Sequence, residues 1–275
     1  MKEVVLLNVG CGAVFHPGWV NLDAVPAHPS VRRWDLRIGL PFRDGEVAVC
    51  YASHVLEHLP RQGAAGFLRE CHRILKSGGV VRIVVPDLEA IARHYLRLLS
   101  EAESGSSAAA ADYNWVLLEL FDQMVRERSG GEMHAYLSSG KVKNPDFVIA
   151  RAGIEAEQLI RDPRSSSLES PGGWSFSRKW RRVREEIAGS LAAAVLGSEG
   201  RRALKEGLFR RSGQVHLWMY DRYSLRGLLE DCGFVEVKRC ESTESRIRDF
   251  VGYQLDVVAG RTRKPDSLFM EASKP

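Results

Sequence analysis

The stretch Val4–Val9, VVLLNV, is an unbroken apolar run that stops at Gly10-Cys11-Gly12. A short run with no polar alternation suits a strand buried on both faces, the kind found inside parallel sheets. Further runs follow at short intervals: Trp19–Asp23, Val31–Leu36, Val47–Ser53 and Val80–Val85, the last closed by Pro86-Asp87. Between the fourth and fifth, Ala64, Phe67, Leu68, Cys71, Ile74 and Leu75 recur at helical spacing. Lys76 falls in the predicted last turn of that helix, and Gly78-Gly79 read as its stop. Strand, helix, strand in this order predicts a parallel sheet with crossover helices.

From about residue 88 to 215 the pattern turns helical. It is broken by loops such as ESGSS and RSSSLESPGG, and one helix is marked by Trp180, Val183, Ile187, Leu191 and Val195 on a single face. The strand rhythm then resumes. Asp221 is placed to cap a helix carrying Leu225, Leu228 and Leu229 that stops at Gly233, with strands at Phe234–Cys240 and Ser267–Ser273. The expected fold is α/β, a doubly wound and mostly parallel seven-stranded sheet with a helical insert after strand five. Residues 1–90 and 216–275 form the core in this reading, and residues 91–215 form the insert, a cover for an acceptor site.

Composition narrows the class. The chain has 275 residues, 44% hydrophobic and 27% charged, ordinary for a globular protein. No apolar run approaches the roughly 20 residues of a membrane span. The opening MKEVVLLNVGCG has no cleavage pattern of a signal peptide and reads as a first strand. The five cysteines, Cys11, Cys50, Cys71, Cys232 and Cys240, are odd in number, scattered and without a C-x-x-C pair. That predicts reduced thiols and a cytoplasmic location. The net charge of +4 is too mild to imply a nucleic-acid partner, and no motif of that kind is present. The charge is uneven, however: residues 161–215 carry +6 and the rest of the chain −2.

Gly10 and Gly12 sit just past the first strand, where bare backbone lets a ligand approach and free amides attract an anion. A lone G-x-G also fits a simple tight turn. Asp23 ends the second strand, placed to accept hydrogen bonds from a ribose diol or to close a turn. A nicotinamide site expects about 20 residues between fingerprint and acid, plus a third glycine. Here the gap from Gly10 is thirteen residues and position 15 is Phe15, so the first crossover is clipped around Pro17-Gly18. Asp35, at the end of the third strand, is a second acid, suited to a purine amino group or to capping.

Taken together, LNVGCG, GWVNLD, WDLRIGLPFRDGEVAVCYASHVLEHL, ECHRILKSGGVVRIVVPDLE and LWMYDRYSLRGLLEDCGF resemble class I S-adenosylmethionine-dependent methyltransferases. The resemblance is nearest to the group with a methyltransferase 11-like core linked to bacterial sugar and cell-surface pathways. It covers residues 4–89 closely and 216–273 loosely. It implies a Rossmann-like fold with S-adenosyl-L-methionine as cofactor, and polysaccharide or natural-product modification as the setting. By it, Gly10, Cys11 and Gly12 face the methionyl part, Asp23 the ribose, and Asp35 with the backbone of Leu36 the adenine. Ser53 and His54 stand beside the sulfonium. Asn8 departs from the acid common at that position; its carbonyl can still accept from an ammonium.

The string SHVLEHL contains H-x-x-E-H, His54, Glu57 and His58, the pattern of an inverted zinc-protease helix. Here His54 directly follows a strand, so the string is expected to mark the lip of a cofactor cleft, and no metal is expected. Glu119 and Glu132 are third-ligand candidates that nothing singles out. An oxygen acceptor must lose a proton, and His54, Asp87 and His216 are the candidate bases. Asp87 reads equally as a helix cap, and His216 as a packed histidine. The basic cluster Arg178, Lys179, Arg181, Arg182 and Arg184, with Arg201, Arg202, Lys205, Arg210 and Arg211, is either a solvated face or a contact for phosphate or a membrane surface. The expected partner is a small-molecule or glycan acceptor, phosphate-bearing in one reading and methylated on a hydroxyl oxygen. The alternatives are a binding protein that keeps the fold without catalysis, and a zinc hydrolase.

Overall fold

The computed structural model describes residues 4–163 and 176–275, except for the side chains of residues 176–183 and 185. Five strands precede the helical region: β1 (Val5–Val9), β2 (Val20–Asp23), β3 (Val31–Arg33), β4 (Val47–Ser53) and β5 (Leu75–Pro86). Four follow it: β6 (Val235–Cys240), β7 (Val257–Val258), β8 (Arg261–Thr262) and β9 (Ser267–Ser273). The main sheet has seven strands in the order β3-β2-β1-β4-β5-β9-β6. Pairing is parallel from β3 through β5, and β9 runs antiparallel to both its neighbours. The order reverses between β1 and β4, and the crevice at the carboxyl ends there is where open α/β sheets bind ligands.

The alternation along each strand builds two cores. On one face Cys50 and Ala52 of β4 and Ile83 and Val85 of β5 pack with Phe67 and Leu68 of α1 (Arg61–Ile74) and with Leu225 and Leu229 of α7 (Arg222–Asp231). On the other, Val49 and Tyr51 of β4 and Phe269 of β9 meet Trp19, Ile247, Phe250 and Leu255. This second face is covered by the segment that leads into the β7–β8 hairpin. The first two crossovers, residues 10–19 and 24–30, contain no helix.

Between β5 and α7 the chain is helical: α2 (Leu88–Glu103), α3 (Ser107–Val125), α4 (Gly131–Leu137), α5 (Pro145–Arg161) and α6 (Phe176–Arg210). Two apolar clusters of their own hold α2 to α5. Ile91 and Leu98 pack with Ala109 and Val116, and Trp115 and Leu137 with Val148 and Ala156. Two helices are kinked at a glycine with positive φ, α5 at Gly153 and α6 at Gly197.

Several boundaries differ from expectation for identifiable reasons. Helix α1 ends at Ile74, not beyond Lys76, because Leu75 is fully buried and already pairs with Val47 in the sheet. Gly78-Gly79 lie within β5 rather than acting as a helix stop. Strand β3 stops at Arg33 because Asp35 caps a 3-10 turn, Leu36–Ile38, by accepting from the Arg37 amide. The two-residue strands β7 and β8 carry no readable alternation at that length.

One buried ion cluster spans the sheet. Arg82 and Glu271 are cross-strand partners on β5 and β9, and the guanidinium donates to Glu271 at 2.7 Å and to Asp256 at 2.8 Å. Arg82 is fully buried and lies over the rings of Phe250 and Phe269. Tyr51 donates to the other oxygen of Asp256. All five cysteines are buried free thiols. No helix among the described residues is long and apolar enough to cross a membrane.

Candidate active site

The chain leaves β1 through Gly10-Cys11-Gly12 at the switch point. Gly10 and Gly12 adopt φ of 65° and 53°, values that glycine reaches without steric cost. A β-carbon on Gly10 would stand 2.5 Å from Val55 Cγ2, whereas one on Gly12 would meet no atom within 4 Å. One glycine therefore lets the turn pack against the tip of β4, and the other leaves bare backbone facing open space. Asp23 braces the turn from the end of β2, accepting from the Gly12 amide at 2.8 Å and from the Val25 amide at 2.7 Å. Burial, helped by Asp23, pushes the Cys11 thiol up to about 12, so it stays protonated at neutral pH. Asn8 spends its amide protons on Val14 O and Asn21 Oδ1, so what it can offer a ligand is its carbonyl oxygen.

His54 forms the facing wall. It sits at φ 54°, unusual for a non-glycine residue, and its amide still bonds Val84 O at 2.9 Å. That conformation turns the side chain out of the sheet at the end of β4. Its Nδ1 lies 3.1 Å from Glu57 Oε1 and its Nε2 lies 3.0 Å from Ser267 Oγ. Glu57 is wholly buried. Burial works to raise its carboxyl, but His54, His216 and His58 prevail and hold it down at about 2, so it is a carboxylate.

Gly10, Cys11, Gly12, Ser53 and His54 line one cavity of about 220 Å³. Its remaining wall includes Tyr51, Asp256, Arg263, Lys264 and, from α5, Glu155, which pairs with Lys264 at 3.6 Å. These five were not singled out in the sequence. Arg263 and Lys264 belong to the conspicuous string RTRKPD. Tyr51, Asp256 and Glu155 have no local signal, because only the fold brings them together.

The other expected residues lie outside this cavity. Asp35 is a half-buried cap in a bidentate pair with Arg37, and Leu36 opens the 3-10 turn after it. The bonds from Arg37 lower the Asp35 carboxyl below its ordinary range. Asp87 caps α2 through the Ala90 amide and lies 3.5 Å from Arg239. His216 is 3% exposed and meets His58 edge-on, with ring centroids 4.7 Å apart. Burial drives its imidazole down to about 3 despite the pull of Glu57, so it is neutral.

The H-x-x-E-H string does not form a zinc-protease helix. Leu56–His58 is a 3-10 turn, His54 faces the cavity, and His58 points to Val215 O at 3.1 Å. Glu119 is engaged by Arg151 at 2.6 Å and Glu132 by Arg128 at 2.6 Å, so neither completes a ligand set with the string. Of the basic cluster, the side chains of Arg178, Lys179, Arg181 and Arg182 lie outside the described residues. Arg201 and Arg202 pair with Glu186 and Glu206 on their own helix.

Residues 21–83, from the second strand through most of β5, match the family model for the methyltransferase domain. That match, 63 of the 275 residues, is a likeness to a methyltransferase domain. None of the curated proteins matches it significantly. Among solved structures it is similar to the YcgJ protein of Bacillus subtilis, with 22% identity and a TM-score of 0.27 over 35% of this chain and 52% of that one. The chain thus spans about half the length of YcgJ. It is also similar to an S-adenosylmethionine-dependent methyltransferase of Thermotoga maritima, described as a possible histamine N-methyltransferase (10% identity, TM-score 0.40, 100% of this chain and 84% of that one). A third similar structure is an S-adenosylmethionine-dependent methyltransferase of Archaeoglobus fulgidus (12% identity, TM-score 0.39, 99% and 87%). The tip of β4 lies within the matched residues, and the glycine turn just before them.

Proposed function

We propose that this chain is a methyltransferase that moves a methyl group to a hydroxyl oxygen of a small-molecule or glycan acceptor, with His54 as the base. The observation that carries the reading is the juxtaposition, in one cavity, of open backbone at Gly12 and His54. The residues present fit the cofactor: Gly12 leaves room at its backbone, Asn8 offers an acceptor oxygen, and Asp23 stands at the end of β2. When bound, S-adenosylmethionine supplies an activated methyl group on a sulfonium. At about 220 Å³ the cavity is below the roughly 300–1,000 Å³ of pockets that enclose a whole drug-sized ligand. It suits one end of the cofactor together with the acceptor atom.

The side chains then divide the work. Glu57, a buried carboxylate beside Nδ1, favours the tautomer with a proton on Nδ1 and a lone pair on Nε2. Nε2 takes the acceptor proton at the position now met by Ser267 Oγ. Arg263 and Lys264 favour an acceptor bearing negative charge, such as a phosphate. Through Glu155 of α5 the helical region 91–215 contributes to the acceptor wall, which supports its reading as a cover. Asp87 and His216, outside the cavity, serve as supports rather than as bases. A ribose role for Asp23 and an adenine role for Asp35 and Leu36 rest on the family resemblance, and Asp35 would have to share its carboxylate with Arg37.

Calorimetry with S-adenosylmethionine, paired with a labelled-methyl assay over hydroxyl-bearing acceptors, tests this. Gly12→Val should weaken cofactor binding at least about tenfold with the fold intact by circular dichroism. His54→Ala should leave binding in place and slow transfer by about 100-fold or more. Absence of cofactor binding by the unmodified protein, or equal binding by Gly12→Val, would overturn the reading in favour of a binding protein that keeps only the fold.

A further inference from the structure

Behind the cavity wall lies a second cluster, of which methyl transfer as proposed uses Glu57 alone, through its Oε1 beside His54. Glu57, His58 and His216 each offer one ligand atom, and these atoms lie within 4.8 Å of one another. We propose that Glu57, His58 and His216 bind one divalent first-row cation, Zn²⁺ by the chemistry of the donors, which fastens the segment returning from the helical region to the tip of β4. Two imidazoles and a carboxylate form a donor set of the kind zinc accepts, with a fourth position left for water.

The geometry supports this at each ligand. His58 Nδ1 faces Val215 O at 3.1 Å, and because a carbonyl can only accept, that nitrogen carries the proton. The lone pair is therefore on Nε2, and a backbone carbonyl behind the ligand is the usual way a metal-binding histidine is oriented. His216 Nδ1 is buried with no hydrogen-bond partner. Both carboxylate oxygens of Glu57 are likewise buried without one; the His54 contact is at ion-pair distance but off hydrogen-bond geometry. Glu57 and His216 are 0% and 3% exposed. Groups this deep ordinarily find partners, so an orphaned carboxylate and an orphaned imidazole in one cluster call for an occupant. The Tyr220 hydroxyl nearby is orphaned too.

The backbone already holds the ligands in register. The Leu217 and Trp218 amides donate to Glu57 O at 2.7 and 3.2 Å, and the His216 amide to Gln123 O at 2.8 Å. Tetrahedral zinc with bonds of about 2.0–2.1 Å places its donors about 3.3 Å apart, so side-chain rotation must draw these together by up to about 1.5 Å from separations of up to 4.8 Å. The guanidinium of Arg126 is within electrostatic reach, but it donates to Gln214 O instead of entering the cluster.

The test is metal analysis by plasma mass spectrometry on full-length protein purified without chelator. Titration of chelator-treated protein with Zn²⁺ and with Co²⁺, followed by visible absorption and thermal unfolding, completes it. The expected result is one equivalent bound, Co²⁺ bands of a low-coordinate site, and a Tm that rises with Zn²⁺ concentration. His58→Ala and Glu57→Gln should each lower affinity by about 100-fold or more. His94→Ala, outside the cluster, should bind as the parent does. Should His216→Ala fail to fold, the other two variants decide. Substoichiometric metal with no Tm response, or equal binding by parent and cluster variants, would overturn the proposal and assign the cluster to water. Cofactor calorimetry on the same samples separates loss of this site from failure of the methyltransferase reading.

Discussion

Gly10 and Gly12 are two residues apart, share a positive φ, and differ in what surrounds them. That difference makes separable predictions. Alanine at Gly12 meets open space and bears only the backbone cost of φ > 0, about 1 kcal/mol. Alanine at Gly10 bears the same cost and also drives a methyl into Val55 Cγ2, an overpacking penalty of about 1–3 kcal/mol. Urea unfolding should therefore rank Gly10→Ala well below Gly12→Ala in stability. Adding Val55→Ala should relieve the steric part alone, giving a favourable coupling of about 1 kcal/mol in a double-mutant cycle. Equal stability of the two single variants would contradict the packing seen at the turn. Arg82 teaches a different lesson at the same scale. A charged residue in VVRIVV reads as the solvent side of a strand, yet it is fully buried, because β9 brings Glu271 opposite it and the hairpin segment brings Asp256. Its partners lie 174 and 189 positions away, a separation that no local pattern records.

At the level of elements, what the sequence revealed depended on whether the cause was local. Strands β1, β4 and β9 were legible because their apolar runs end in glycine or polar residues that fix their limits. The caps at Asp87 and Asp221 were legible because capping is decided within three or four residues. The end of α1 was not, since it is set by Leu75 pairing with Val47 across the sheet. For the site, the glycine turn and His54 could be read from strand ends, whereas Asp256, Lys264 and Glu155 arrive from other elements. The kink of α5 shows how such elements are coupled. Gly153 has φ 74°, and a β-carbon there would lie 2.0 Å from Arg263 O and 2.7 Å from Pro265 Cδ. Gly153→Ala must push the loop bearing Arg263 and Lys264 away from the helix. The expected loss is at least about 2 kcal/mol, read as a Tm lower by about 4 °C or more. A Tm within a degree of the parent would show that the helix and loop are not in the contact described.

At the scale of the whole molecule, the two sheet faces and the paired helical clusters account for the interior, and α6 stands apart from them. Its apolar stripe was readable as a helix face, and the described part of that stripe is exposed: Ile187 at 56%, Leu191 at 63% and Val195 at 79%. Periodicity shows that a helix has an apolar side; it does not show that the same chain supplies a cover for it. Three exposed side chains contribute little to folding, so their replacement should be nearly free. The triple variant Ile187→Lys, Leu191→Lys, Val195→Lys should unfold cooperatively with a stability change of at most about 0.5 kcal/mol per site. Leu98→Ala, in the core between α2 and α3, should cost about 2–5 kcal/mol in the same assay because it opens a cavity where Leu98 is 1% exposed. The comparison calibrates the assay with a substitution of known depth. A loss in the triple variant approaching that of Leu98→Ala would mean that the stripe is packed in solution, against this chain or another copy of it. A small loss would leave α6 as an element whose sequence is constrained by something other than the stability of the fold.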